Sequence, residues 1–247
     1  MITQYHRPTT LEEAFELLSQ PNTYALGGGT LLTKKKDESF AVVDLQALGL
    51  NQIHKVGDKL EIGATATLSQ LLESPHTPLA LVESLRIETP LNLRNMGTVA
   101  GTLVTCDGRS PFAAAMLALD AKLTIHGPMP EIHSLGNFLP LRASLIHGKL
   151  ITKIEIPLSV KFAFESVART PLDRPIVCAA LAQWPSGRTR LALGGWGAAP
   201  QLAMDGNEPG GVESAAHNAA TGAGDGWATA EYRQEIAGIL AKRCQEK

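Results

Sequence analysis

Three consecutive glycines, Gly27-Gly28-Gly29, close a short apolar run and lead into Thr30. A chain without Cβ atoms at three successive positions enters backbone conformations closed to other residues. At a strand's end such a turn lets several N–H dipoles converge with no side chain in the way, and a phosphate can sit there. A tight turn with no ligand is the alternative, and the run alone leaves both readings open. It is neither Gly-x-Gly-x-x-Gly nor a Walker sequence. If the turn does hold phosphate, a side chain at Gly28 or Gly29 is expected to displace the ligand with little loss of folding.

The surroundings of the turn read as a small α/β unit. Thr10 and Glu13 fit a capping box ahead of Leu11, Ala14, Phe15 and Leu18, and Pro21 stops that helix. Tyr24 to Leu26 reads as a strand, Leu31-Leu32 as the start of a helical turn, and Ala41 to Leu45 as a buried strand. Lys34-Lys35-Lys36, followed by Asp37 and Glu38, reads as a solvated loop.

From residue 52 the pattern changes. Ile53 to Val56 and Leu60 to Ile62 flank Gly57-Asp58 as a hairpin. Thr67 to Leu72, Leu79 to Leu85 and residues 111–120 read as helices, and Lys122 to Ile125 and Leu150 to Ile156 as strands. Between them lies a second glycine segment, Gly97-Thr98-Val99-Ala100-Gly101-Thr102. Alone, it is a cradle or a tight crossing of strands. With the first run it suggests a dinucleotide, whose two phosphates and long body suit a cleft between subdomains.

A third region starts near residue 160. Phe162 to Ala168, Ile176 to Ala182 and Arg190 to Leu193 are strand candidates, and Glu231 to Cys244 a closing helix. Residues 205–226, rich in Gly, Ala and Asn, read as a loose, partly disordered loop. The predicted domains are 1–48, 49–158 and 159–247.

Composition excludes several classes. With 44% hydrophobic and 19% charged residues, the chain is not predominantly disordered. A formal net charge of −2 gives no reason to expect nucleic acid as a partner. No apolar run has the length of a signal peptide or a membrane span, so a cytoplasmic protein is expected. Cys106, Cys178 and Cys244 are far apart, and no histidine pair has metal-ligand spacing, so no metal site is expected on this chain. No catalytic residues stand out. Asp107 and Arg109 flank Gly108 just after the second segment, placed to touch a ligand or each other. Trp184, Trp196 and Trp227 read as packing residues.

At the two glycine segments the chain resembles the FAD-binding medium subunit of the molybdenum hydroxylases, the xanthine dehydrogenase and carbon monoxide dehydrogenase family. The family's early Ala-Gly-Gly motif is matched by Gly27 to Leu32. Its later Arg-Asn-x-Gly-Thr motif is matched by Arg94 to Thr102, followed by Cys106-Asp107-Gly108 and the helix end Leu117-Ala118-Leu119-Asp120-Ala121. Leu193 to Gly197 and Tyr232 to Leu240 resemble its C-terminal domain.

The resemblance implies an α+β protein: a two-subdomain FAD-binding fold of the PCMH/VAO type, then a small α+β C-terminal domain. It implies FAD bound by Ala25, Leu26, Gly27, Gly28, Gly29, Thr30, Leu31, Thr98, Val99, Ala100, Gly101, Thr102, Asp107 and Ile151. It also implies partners, a molybdenum-cofactor subunit and a [2Fe-2S] subunit, and an acceptor that is NAD, a quinone or oxygen. Departures from the pattern fall at Leu31, Ala100, Thr102, Pro111 and Glu165, the last near where some relatives place a lysine beside the flavin. They bear on redox tuning and on the choice of acceptor. A stand-alone FAD-dependent oxidase and a non-catalytic flavin-binding interaction protein are the competing readings.

Overall fold

The computed structural model describes residues 1–32, 39–127, 129–171, 173–207 and 210–247. The basic run at Lys34 to Lys36 lies outside the described residues.

The N-terminal unit is a three-stranded parallel sheet of order β1-β3-β2, with β1 at Ile2–His6, β2 at Thr23–Leu26 and β3 at Phe40–Asp44. Central β3 is buried at every position, as the middle of a parallel sheet must be. Helix α1, Leu11–Leu18, packs Ala14 and Leu18 against Val43 and Leu45. Thr10 caps it by accepting from the Glu13 N–H, but the Glu13 carboxylate reaches back to the N–H of Thr9 rather than of Thr10. Leu31-Leu32 is a turn.

The second unit is an antiparallel sheet of order β4-β5-β8-β6-β7. Its strands are β4 at Ile53–Val56, β5 at Lys59–Gly63, β6 at Lys122–His126, β7 at Pro130–Ser134 and β8 at Leu150–Pro157. Burial alternates along β5, β6 and β8, so one face meets the helices. Those helices are α2 (Leu68–Glu73), α3 (Leu79–Glu88), α4 (Leu91–Met96), α5 (Val99–Thr105), α6 (Pro111–Ala118) and α7 (Leu135–Leu145).

The third unit is an antiparallel sheet of order β12-β11-β10-β9, formed by β9 (Lys161–Val167), β10 (Val177–Gln183), β11 (Thr189–Gly194) and β12 (Gln201–Gly206). Helices α8, Val212–Ala219, and α9, Ala230–Glu246, cover one face. The other face packs on α6, which is buried at all eight positions.

The stretch 205–226 is not the expected loose loop. It holds the end of β12 and all of α8, and Val212, Ala216, Ala220 and Ala223 enter the core. The stripe hides in the sequence because small alanines carry little hydropathic contrast. Among the described residues, no helix is long and apolar enough to cross a membrane.

Candidate functional site

The two glycine segments meet. The first leaves the C-terminal end of β2, where ligands of open parallel sheets commonly bind. A Cβ on Gly28 would lie 1.6 Å from the carbonyl oxygen of Met96, and one on Gly27 would lie 2.9 Å from Thr98 Oγ1. Backbone therefore packs on backbone, and only glycine at Gly28 permits it. Gly29 adopts φ +70°, the left-handed region. The expectation that a side chain at Gly28 spares the fold is thus corrected, because it would strike the chain itself.

The two segments differ in what they can offer a ligand. In the second, every amide but that of Thr98 is already committed within the chain among the described residues. Val99 N–H donates to Ala66 O, Ala100 N–H to Ala64 O, Gly101 N–H to Thr98 Oγ1 and Thr102 N–H to Thr98 O. Gly97 N–H donates to Leu93 O at 2.6 Å, and Gly97 O accepts from Leu68. Segments 64–68 and 97–100 thereby form a small ladder around the Thr67–Thr98 bridge. In the first segment, no hydrogen bond among the described residues engages the N–H of Gly27, Gly28 or Thr30. Thr98 Oγ1 accepts from Gly101, which leaves its own proton to donate. With Thr98 Oγ1 packed against Gly27, unbonded amides and a hydroxyl proton come together in one place, a candidate donor set for an anion.

The other candidate residues lie at graded distances from that junction. Ala25 is exposed and Leu26 half-buried at the end of β2, and Leu31 is 40% exposed just beyond the turn. Val99 and Ala100 are buried, Gly101 is exposed, and Thr102 is half-buried with its hydroxyl on Thr98 O. Ile151 is buried as a whole residue, at 1% exposure, in the core under β8. Its neighbour Thr152 gives its carbonyl to the N–H of Ala64, so β8 connects to the ladder.

Asp107 faces the third unit. Both its oxygens accept from Arg174, at 2.6 and 3.0 Å. Against the opposing effect of burial, that pairing holds its carboxyl below the usual range. Arg109 donates to the carbonyls of Arg174 and Pro175 and lies over the Trp227 ring. Trp196 is buried, whereas Trp227 is half exposed and carries Arg169 as well. Pro111 is the first residue of α6, where its missing N–H costs nothing, and Glu165 pairs with Lys247 at 2.7 Å.

Burial raises all three thiols, Cys106 to about 11 and Cys178 and Cys244 to about 12, so none is poised to bind metal or react. Among the described residues, no group of three or more His, Cys, Asp or Glu side chains converges. A residue that sequence reasoning passed over is Glu88, buried beside Ser110; its burial is made by α6 arriving from far along the chain, which no local signal marks.

Residues 1–159 match the family model described as the FAD binding domain in molybdopterin dehydrogenase. A putative xanthine dehydrogenase FAD-binding subunit of Escherichia coli strain K12 is 30% identical, over 77% of this chain and 73% of that protein. A carbon monoxide dehydrogenase medium chain of Afipia carboxidovorans is 27% identical, over 98% and 95% of the two chains. The solved structure of reconstituted CO dehydrogenase from Oligotropha carboxidovorans superposes with a TM-score of 0.82 at 26% identity, covering 98% of this chain and 96% of that one.

Proposed function

The chain belongs to the family of FAD-binding domains of molybdopterin dehydrogenases, and on that premise we propose that it relays electrons from iron–sulfur clusters on a partner to an external acceptor. It is the FAD-carrying medium subunit of a xanthine- or carbon monoxide dehydrogenase-like oxidoreductase.

The observation that supports the site assignment is the contact of Gly28 with the Met96 carbonyl. It holds the first segment, whose Gly27, Gly28 and Thr30 amides are unbonded among the described residues, against the Met96–Thr98 stretch, and in this reading the donor set fits a diphosphate. In this reading the amides and the hydroxyl bind the two phosphates of FAD. Gly29 turns the chain around them. Ala25, Leu26 and Leu31 flank the first phosphate segment, and Val99, Ala100, Gly101 and Thr102 hold Thr98 in place. Ile151, buried in β8, supports the cleft from the core side, and Asp107 fixes the exit of the second segment. When bound, FAD supplies the capacity to exchange electrons one or two at a time.

Ranges 1–48 and 49–158 then act as the two FAD-binding subdomains, and 159–247 as the C-terminal domain. Substrate oxidation belongs to a molybdenum-cofactor subunit, and a [2Fe-2S] subunit bridges it to this chain. The acceptor is NAD, a quinone or oxygen, and the assembly works in the cytoplasm. The buried, protonated thiols support the division of labour, since they offer no cluster ligands.

The test uses the isolated chain loaded with FAD. After reduction with dithionite, the flavin should reoxidise on adding an acceptor. Purine, aldehyde or carbon monoxide should leave it oxidised. Bleaching by any of the three without partners would refute the relay and favour a self-sufficient oxidase.

A further inference from the structure

The second glycine segment rides on an excursion that leaves α3 and returns at α6. Both ends of it are tied by one side chain. Glu88, the last residue of α3, is only 9% exposed. Its Oε2 accepts from Ser110 Oγ at 2.8 Å and from the Phe112 N–H at 3.0 Å, across 22 and 24 residues of chain. Ser110 is itself fully buried and caps α6 by accepting from the Ala113 N–H. Close by, Arg94 Nη1 donates to the carbonyls of Arg86 and Thr89, which folds α4 back on the end of α3.

A buried carboxylate is costly unless its bonds are made, and an apolar residue would fill the same volume more cheaply. What the carboxylate adds is direction: two donors from α6 are held at one oxygen, beside the positive end of a helix. Closing a loop of this length costs entropy that flexible packing alone would not offset at a single geometry.

We infer that Glu88 is a positioning residue, whose carboxylate clamps both ends of the excursion so that the Thr98 hydroxyl stands opposite the first glycine turn. The inference rests on the proposal that this junction holds FAD. Besides Ser110 and Phe112, the groups that face Glu88 are Cys106 and Asp107 on the excursion and Arg174 and Cys178 on the third unit. Burial pushes the Glu88 carboxyl above the usual range, against its two hydrogen bonds and Arg174. The ionised form accepts both bonds more strongly, since hydrogen bonds to a carboxylate are charge-assisted and those to a neutral acid are not. FAD binding should therefore favour that form, and affinity should weaken as pH falls through the Glu88 titration.

The test titrates the full-length apoprotein with FAD by flavin fluorescence, alongside its Tm. Glu88→Gln keeps size and an acceptor, so it should fold and yet bind FAD roughly tenfold more weakly, about 1.4 kcal/mol by the conversion constant. Its Kd should lack the wild-type step on the acid side. Ser110→Ala removes one donor from the other end, and it should weaken FAD non-additively with Glu88→Gln. This second variant keeps the test decisive if any Glu88 replacement misfolds. A Glu88→Gln protein with wild-type Kd and an unchanged pH profile overturns the clamp. So does a lowered Tm with unaltered Kd in both variants. Wild-type protein that binds no FAD overturns the site proposal on which the clamp rests.

Discussion

Gly28→Ala is the sharpest perturbation of the junction. The added Cβ starts 1.6 Å from the Met96 carbonyl oxygen, and real Cβ contacts essentially never fall under 3.0 Å. The first turn must then retreat by at least 1.4 Å (3.0 − 1.6), because the obstacle is backbone and cannot swing aside. An amide-to-phosphate bond of about 2.9 Å stretched by that much is no longer a hydrogen bond. Each bond to a charged group contributes about 1.5–3 kcal/mol, so losing two costs roughly 3–6 kcal/mol. At about 1.4 kcal/mol per tenfold, FAD should bind roughly 10²- to 10⁴-fold more weakly. Gly27→Ala is the control. Its Cβ meets Thr98 Oγ1 at 2.9 Å, so a shift of only about 0.1 Å (3.0 − 2.9) clears the clash. That variant should lose less than about tenfold. Fluorescence titration of both apoproteins, with Tm recorded, reads the contrast. A Gly28→Ala protein that keeps wild-type affinity, or one no worse than Gly27→Ala, would refute the reasoning.

Three further outcomes follow from the same structure. With every thiol buried and raised to about 11 or 12, native protein should be inert to a thiol reagent at pH 8 and should expose all three cysteines only in denaturant, as a timed colorimetric assay would read. Arg233 is fully buried, donating to the Ala223 carbonyl and to both oxygens of the exposed Asp225, so Arg233→Met should cost about 1–3 kcal/mol in a urea titration, because a buried carbonyl loses its donor. The hydrogen bond from Arg188 holds the Asp205 carboxyl below its ordinary value; a depressed folded pKa gives stability that is present above the unfolded value of about 4 and fades as pH falls through the folded one, so Asp205→Asn should flatten the acid limb of a Tm-against-pH curve.

Much of the architecture was legible because local signals agreed with packing. The Gly57-Asp58 hairpin, the capped first helix and the apolar helix 111–120 each carry their own punctuation. The second glycine segment was legible as a feature, though its form was not. It is a helix start pinned by a ladder to residues 64–68, a pairing that no spacing in the sequence announces. Strand β1 was missed because its residues are mostly exposed at a sheet edge and show no alternation. The run 205–226 was misread because glycine and alanine dominate its composition, while Val212 and three alanines do the packing. Glu88 ends a helix just before Thr89-Pro90, which reads as an exposed, polar stop. Its burial depends on α6 arriving from 22 residues further on.

The same corner explains why the third unit is more than an appended module. Directly after the second glycine segment the chain passes through Gly108, where a Cβ would lie 1.5 Å from the Trp196 carbonyl. Gly108 N–H donates to Gly197 O, and Gly108 O accepts from Gly195 N–H. Asp107 on one side is held by Arg174, while Arg142 of α7 bonds both Cys106 O and Ala198 O. Residues 106–112 are therefore fixed by α3 through Glu88 and by the third sheet through its turn and Arg174. A displacement of that sheet would act on the exit of the second segment first, and through it on Thr98. The C-terminal unit thus sets the geometry of a junction to which it contributes no donor of its own, and altering its turn at Gly195–Gly197 should disturb FAD affinity before it unfolds the N-terminal sheet.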